Sequence, residues 1–357
     1  MKIGIVCGGT GGHIFPGLAT ARVLRLRGHE IVLWLAGKDV ESEAVNEWNG
    51  QVVTVPWQGF SSIFSYGNPL VLWRLFQAVR ICKKTMKGHG HDVLLAMGSY
   101  ASVCPVLAAR QLGVPVVLHE ANVIPGRAIR FLSRWSKAVA IGFDETRSFL
   151  HHSHIVFTGM PVNDSTHYCD SELWSALAPE RFTVLVTGGS RGAHVLNQVA
   201  SSAMIRLHQE GGNFQVIHLT GPEDENRIRE DYEKSGVSHV VLGFLSAMDQ
   251  AYKRANLAVC RSGASTCAEL SAFGVPALVV PYPFAMHQHQ LANARVLEKS
   301  GSVDVRLESE LTKDWLKDYI SMHMADSCQL KQMREAAKNR NSGNAASALA
   351  DLVLEMA

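Results

Sequence analysis

The chain has 357 residues, 47% of them hydrophobic and 18% charged, enough material for two packed cores rather than one. A net charge of +2 is too small for a nucleic-acid-binding surface. The seven cysteines, at positions 7, 82, 104, 169, 260, 267 and 328, include no C-x-x-C pair; neither a zinc site nor a disulfide framework is indicated, and scattered thiols suit a reducing cytosol. The first residues enter a strand directly, which leaves no room for a secretion signal, and no apolar run reaches bilayer-spanning length.

In chain order, short and continuously apolar strands are expected over residues 2–7, 30–35, 51–56, 92–97, 115–119 and 138–141. Helices are expected over 15–27, 40–48, 69–87 and 102–112. Such strands alternating with helices predict a parallel sheet covered on both faces. Gly159-Met160-Pro161-Val162-Asn163-Asp164 interrupts the pattern and a polar stretch follows. The alternation then restarts, with strands over 183–187, 214–219, 240–242, 257–260, 277–280 and 303–305. Beyond Leu311 the chain reads as helical, ending in an amphipathic segment over 344–356. The fold class is therefore α/β: two doubly wound, Rossmann-like domains, 1–160 and 161–343, with ligands expected beyond the carboxyl ends of the strands in a cleft.

Each half carries a glycine-rich loop between a strand and a helix: Gly8-Gly9-Thr10-Gly11-Gly12-His13 and Gly188-Gly189-Ser190-Arg191-Gly192-Ala193-His194. Glycine permits positive φ and close ligand approach, and the following helix offers unpaired N–H groups and partial positive charge to a phosphate. A dinucleotide fingerprint fits poorly, because the spacing is wrong and no acid precedes Asp39 after the second strand. No G-x-x-x-x-G-K-[ST] motif occurs in either loop.

His13 stands at the mouth of the first helix, facing the expected cleft, where a neutral imidazole can take a proton from a substrate hydroxyl; the alternative is a locally packed helix-start residue. Glu269, in Arg261-Ser262-Gly263-Ala264-Ser265-Thr266-Cys267-Ala268-Glu269, fits a capping box with Thr266 as N-cap, or a carboxylate that binds ribose hydroxyls; the local pattern does not choose. The stretch 280–293, with Gln290 and Asn293, supplies amides that donate and accept at once, which suits sugar hydroxyls as well as a surface helix start. Over 60–87, Phe64, Trp73 and Phe76 stand among Arg80, Lys83 and Lys84 without a single acid. That composition suits an anionic membrane surface better than one buried helical stripe.

Together these motifs resemble the MurG family of N-acetylglucosaminyltransferases. The resemblance runs nearly end to end through Gly8–His13, Met97-Gly98-Ser99-Tyr100, His119-Glu120-Ala121-Asn122, Gly188–Ala193, Cys260–Glu269 and Val280–Asn293. It implies the GT-B architecture, with the segment 344–357 crossing back to an acceptor- and membrane-side first domain and 161–343 binding UDP-GlcNAc. It implies an inverting transfer of GlcNAc from UDP-GlcNAc to the 4-hydroxyl of the MurNAc of lipid I, at the cytoplasmic face of the inner membrane. By motif, His13 resembles the family's base, and Thr10, Gly11, Gly12 and Asn122 its donor or acceptor contacts. Ser190 resembles the diphosphate contact, Leu245 the uracil backbone contact and Glu269 the ribose ligand, with Ala264, Ser265 and Thr266 among the UDP-GlcNAc contacts. Gln290 and Asn293 resemble the GlcNAc contacts. No cofactor and no metal are implied. One position departs: where the family has an Arg after Gly-x-Pro-Val, this chain has Asn163, so Arg191 or Arg261 supplies the charge or diphosphate binding is weaker. The rival readings are another GT-B enzyme, whether a glycolipid synthase or a UDP-GlcNAc epimerase, a non-catalytic sugar-nucleotide-binding protein, and a nicotinamide enzyme.

Overall fold

The computed structural model describes residues 1–9, 11–37, 45, 48–56, 69–162, 173–189, 192–340 and 343–357. They form two compact units, Met1–Asn163 with Ser342–Ala357, and Asp164–Asn341. The helix expected over 40–48 falls largely outside the described residues.

The first unit runs β1 (Lys2–Val6), α1 (Gly11–Leu26), β2 (Glu30–Ala36), β3 (Gln51–Val55), α2 (Pro69–His89), β4 (Val93–Ala96), α3 (Val103–Leu112), β5 (Val116–Glu120), α4 (Arg127–Leu132), β6 (Ala138–Ile141) and β7 (Ile155–Phe157). Its strands pair in parallel in the order β3-β2-β1-β4-β5-β6-β7. Alternate residues of each strand face opposite layers. Val6, Trp34, Leu94, Leu118 and Ile141 pack with Val79, Cys82 and Met86 of α2 and with Val106 and Ala109 of α3. Ile5, Leu33, Leu95, Val117 and Ala140 pack against Leu18, Ala21 and Leu24 of α1. Leu349, Leu352 and Val353 of the terminal helix, Ala345–Glu355, join that second layer.

The second unit runs β8 (Phe182–Thr187), α5 (His194–Gln209), β9 (Phe214–Leu219), α6 (Glu225–Ser235), β10 (His239–Leu242), α7 (Met248–Arg254), β11 (Leu257–Cys260), α8 (Ala264–Phe273), β12 (Ala277–Val279), α9 (His289–Lys299), β13 (Val303–Val305), α10 (Lys313–Ala325) and α11 (Ser327–Asn339); the terminal helix of the first unit is α12. The sheet order is β10-β9-β8-β11-β12-β13, again parallel throughout.

Three local expectations are corrected. Helix α1 begins at Gly11 rather than residue 15, so Pro16 lies inside it and His13 in its first turn. Strand β7 has only three residues on a sheet edge, too short for an apolar run to announce it. The capping box does not form: α8 starts at Ala264 with Gly263 as N-cap, and Thr266 is already inside the helix.

Candidate active site

In each sheet the strand order reverses once, at β1/β4 in the first unit and at β8/β11 in the second. Loops leaving the carboxyl ends of the strands on either side of such a reversal diverge and leave room for a ligand. The two glycine-rich loops leave β1 and β8, one at each reversal.

In the first unit, Gly9 has φ +123°, and a Cβ there would lie 2.8 Å from Ser99 Oγ. Ser99, itself at φ +62°, donates from Oγ to the Gly8 carbonyl (2.5 Å) and accepts from Ala101 N–H (3.1 Å). The loop after β4 thus clamps the loop after β1. His13, half-buried, donates from Nδ1–H to the Met97 carbonyl at 2.8 Å. A carbonyl can only accept, so the bond settles the tautomer and leaves the Nε2 lone pair as the basic position.

Beyond β4, the register Ala96↔Leu118 carries His119 alongside Met97. His119 is buried and donates from Nε2–H to the Gly159 carbonyl at 3.1 Å. Burial pushes its pKa down to about 4, which keeps it neutral. Glu120 accepts from Asn122 N–H (2.8 Å), Asn122 Nδ2 (3.3 Å) and Gly126 N–H (2.8 Å), so its carboxylate shapes the turn that presents half-buried Asn122. Burial raises the Glu120 pKa, against the pull of those hydrogen bonds. Gly11 and Gly12 open α1; Thr10 lies outside the described residues.

In the second unit, a Cβ on Gly188 would sit 2.4 Å from Ala193 N, and one on Gly192, at φ +74°, would sit 2.1 Å from the Thr220 carbonyl oxygen. Only glycine lets this loop close against β9. Ser190, Arg191 and Asn163 lie outside the described residues. His194, first in α5, donates from Nδ1–H to Asp224 (2.9 Å), which also accepts from Asn197 Nδ2 (2.7 Å) and Arg227 (2.9 Å). Burial works to raise the Asp224 pKa, but these three donors hold it below the usual carboxylate range. Half-buried Leu245 sits in the connection from β10 to α7.

The loop after β11 leads through Ser262 and Gly263 into α8, which carries Ala264, Ser265, Thr266 and Glu269. Ser265 Oγ is buried without a hydrogen-bond partner among the described residues. Glu269 accepts from the Tyr252 hydroxyl at 2.8 Å, and burial pushes its pKa up to about 7. Arg261 is 6% exposed; it pairs with Glu308, donates to the Val280 carbonyl at 3.1 Å and lies 5.5 Å from the Tyr282 ring. Its charge is partnered inside the unit by Glu308. Gln290 accepts from Tyr282 N–H at 2.9 Å, and fully buried Asn293 donates to the Ser262 carbonyl at 3.2 Å, tying α9 to the loop after β11.

Sequence reading missed Tyr252 and Glu308, which act through partners elsewhere in the chain that no local spacing marks; Ser99 stood in the Met97–Tyr100 motif, but its bond to the Gly8 carbonyl was not legible. Among the described residues no group of three or more His, Cys, Asp or Glu side chains is placed to hold a metal ion.

On the outer side of α2, Trp73 is 55% and Phe76 58% exposed, beside exposed Leu70, Leu72 and Ile81. Arg80 and Lys84 are exposed on the same helix and Lys83 is half-buried; the Arg80 guanidinium lies 5.9 Å from the Phe76 ring. Phe64 lies outside the described residues. No helix among the described residues is long and apolar enough to cross a membrane.

Two parallel-sheet nucleotide-type folds in one chain, each with a glycine loop at its strand-order reversal, are the parts of a GT-B glycosyltransferase. The chain matches the glycosyltransferase family 28 N-terminal domain over residues 3–141 and the family 28 C-terminal domain over residues 183–351. It is 33% identical, over 98% of its length and 97% of the relative's, to the UDP-N-acetylglucosamine–N-acetylmuramyl-(pentapeptide) pyrophosphoryl-undecaprenol N-acetylglucosamine transferase of Geobacter metallireducens. It is 34% identical to the enzyme of the same name from Syntrophotalea carbinolica, over 95% of this chain and 94% of that one. The crystal structure of Acinetobacter baumannii MurG superposes with a TM-score of 0.78 at 26% identity, covering 100% of both chains. The chain belongs to glycosyltransferase family 28, and within it to the MurG N-acetylglucosaminyltransferases. A UDP-N-acetylglucosamine 2-epimerase from Listeria monocytogenes, at 13% identity and TM-score 0.72, shares the fold alone.

Proposed function

We propose that the protein moves N-acetylglucosamine from UDP-N-acetylglucosamine to the 4-hydroxyl of the N-acetylmuramyl unit of undecaprenyl-linked lipid I, giving lipid II with inversion at the anomeric carbon. One observation supports the division of labour: His13 donates from Nδ1–H to the Met97 carbonyl, the tautomer in which Nε2 carries the lone pair that a base needs. In this reading Nε2 takes the acceptor's hydroxyl proton as that oxygen attacks the anomeric carbon, and the bond to UDP breaks with its electrons passing to the diphosphate. Asn122, Gly11, Gly12 and Thr10 contact the sugars from the first unit.

The second unit holds the donor. Glu269 accepts from the ribose hydroxyls, Leu245 meets the uracil through its backbone, and Gln290 meets the GlcNAc hydroxyls, with Asn293 bracing the loop beside it. The first turn of α8, with Ala264, Ser265 and Thr266, and the glycine loop after β8, with Ser190, are assigned to the diphosphate. A helix N-terminus carries about half a positive charge, which favours the charge that grows on the leaving group. With Arg261 paired to Glu308, the alternatives for the diphosphate charge are Arg191, a shared Arg261, or weaker diphosphate binding. No step is assigned to a divalent cation or a cofactor. The exposed aromatic and basic face of α2 meets the anionic cytoplasmic face of the plasma membrane, where an undecaprenyl-linked acceptor resides.

The test is transfer of radiolabel from UDP-N-acetylglucosamine to a lipid I analogue. Label in the lipid product, dependent on the acceptor, supports the reading. Epimerised donor without acceptor, or donor bound and left intact beside acceptor, overturns it.

A further inference from the structure

Tyr252 on α7 is 1% exposed, and the reaction as assigned leaves it no task. Its ring stacks on Phe273 with centroids 5.6 Å apart and planes 9° from parallel, while its hydroxyl donates to Glu269 Oε2 at 2.8 Å. Glu269 and Phe273 are four residues apart on α8 and so share one face of that helix. The tyrosine lies along this face, its ring held at one turn and its hydroxyl delivered to the turn before. Among the described residues the hydrogen bond to the Glu269 carboxyl is the one from Tyr252 to Oε2.

The other titratable groups around this carboxylate do not set its charge. The Cys260 and Cys267 thiols are buried and pushed up, Cys267 to about 12, so both are neutral. Arg261 is paired with Glu308, Lys253 of α7 with Asp249, and Arg295 with Glu298 on α9. Arg340, at the end of α11, acts on Cys267. The Tyr252 hydroxyl is the one group that counters the effect of burial on Glu269.

We propose that Tyr252 is a positioning residue for the sugar nucleotide: it fixes Oε2 of Glu269 so that Oε1 is presented as a charged acceptor to ribose hydroxyls, and it sets the pH below which donor binding weakens. The proposal rests on the reading of Glu269 as the ribose ligand. A carboxyl that holds a proton is a weaker acceptor than the carboxylate, so affinity falls as pH drops through about 7. Loss of the tyrosine hydroxyl removes a stabiliser of the charged form and moves that midpoint upward.

Calorimetric titration of the full chain with UDP, from about pH 5.5 to about pH 9, tests this. For Tyr252→Phe, which keeps the ring stack, the midpoint rises by about half a pH unit or more, and affinity at the alkaline end stays within about threefold of the unsubstituted protein. Phe273→Leu, which loosens the stack but keeps the hydroxyl, gives a smaller shift in the same direction. An unmoved midpoint in both variants, or equal weakening at every pH, overturns the role of Tyr252. Titration with 2′,3′-dideoxy-UDP separates this from the underlying reading. If Glu269→Gln weakens UDP and its dideoxy analogue equally, Glu269 is not the ribose ligand and the proposal falls with it. If that variant weakens UDP alone while Tyr252→Phe leaves the midpoint in place, only the tyrosine's role is lost.

Discussion

The assignment of His13 as base turns on which imidazole nitrogen is engaged. Its place in the first turn of α1, just past a glycine loop, is legible in the sequence; its partner, the Met97 carbonyl, is 84 residues away and is not. With Nδ1–H committed to that carbonyl, Nε2 is the only ring position left to accept a proton. His13→Ala is therefore expected to lower kcat by about 10²-fold or more while the protein stays folded, since general-base catalysis is worth about 10²–10⁴-fold. Turnover within a few-fold of the unsubstituted enzyme would take the base role from His13. Arg261 teaches the converse. After a strand and before a serine–glycine pair it resembles an anion-binding residue, yet the fold brings Glu308, 47 residues on, to its guanidinium. Which cations are spent internally is decided by tertiary partners.

The glycine loops and α2 act as whole elements. Gly189 and Gly192 both have positive φ, but a Cβ on Gly189 meets nothing within 4 Å among the described residues while one on Gly192 meets the Thr220 carbonyl oxygen at 2.1 Å. Alanine at 189 pays only backbone strain; at 192 the loop must move. Gly192→Ala is expected to cost about 1–3 kcal/mol and to raise KM for UDP-N-acetylglucosamine at least tenfold, with a distinctly smaller effect from Gly189→Ala. Steady-state kinetics and thermal melts of the two variants decide it, and equal effects would show that the contact with β9 is not what shapes the loop. Helix α2 exposes Trp73 and Phe76 by more than half, so replacing both with serine removes little folded-state contact. Stability is expected to stay within about 0.5 kcal/mol while flotation with anionic vesicles drops. Unchanged flotation would exclude this face as the membrane contact.

At the scale of the molecule, the first unit is assembled from both ends of the chain. Leu349 and Val353 of α12 are fully buried and Leu352 is 4% exposed, packed on the layer that α1 also covers. Arg27 on the first side pairs with Asp351 at 2.6 Å. Burial of such side chains is worth roughly 1.5–3 kcal/mol each, and the three together rival the whole stability of a typical domain, about 5–15 kcal/mol. Removal of residues 344–357 is expected to abolish or sharply lower the first unit's calorimetric transition and to leave that of the second unit nearly in place. A single undisturbed profile would show that the terminal helix is dispensable.

Short apolar strands, glycine punctuation and helical periodicity specify two parallel α/β sheets and the places of both glycine loops, because each signal is local and follows from the period of a strand or helix or the φ freedom of glycine; the roles proposed for His13 and Glu269 rest on the family resemblance, since the local pattern left both open. The tautomer of His13, the tyrosine behind Glu269, the neutralised Arg261 and the missing capping box at α8 were decided only by tertiary structure. The first three depend on a hydrogen bond or ion pair between segments separated in the chain, a meeting that no local pattern encodes, whereas the capping box is missing because α8 begins at Ala264 with Gly263 as its N-cap.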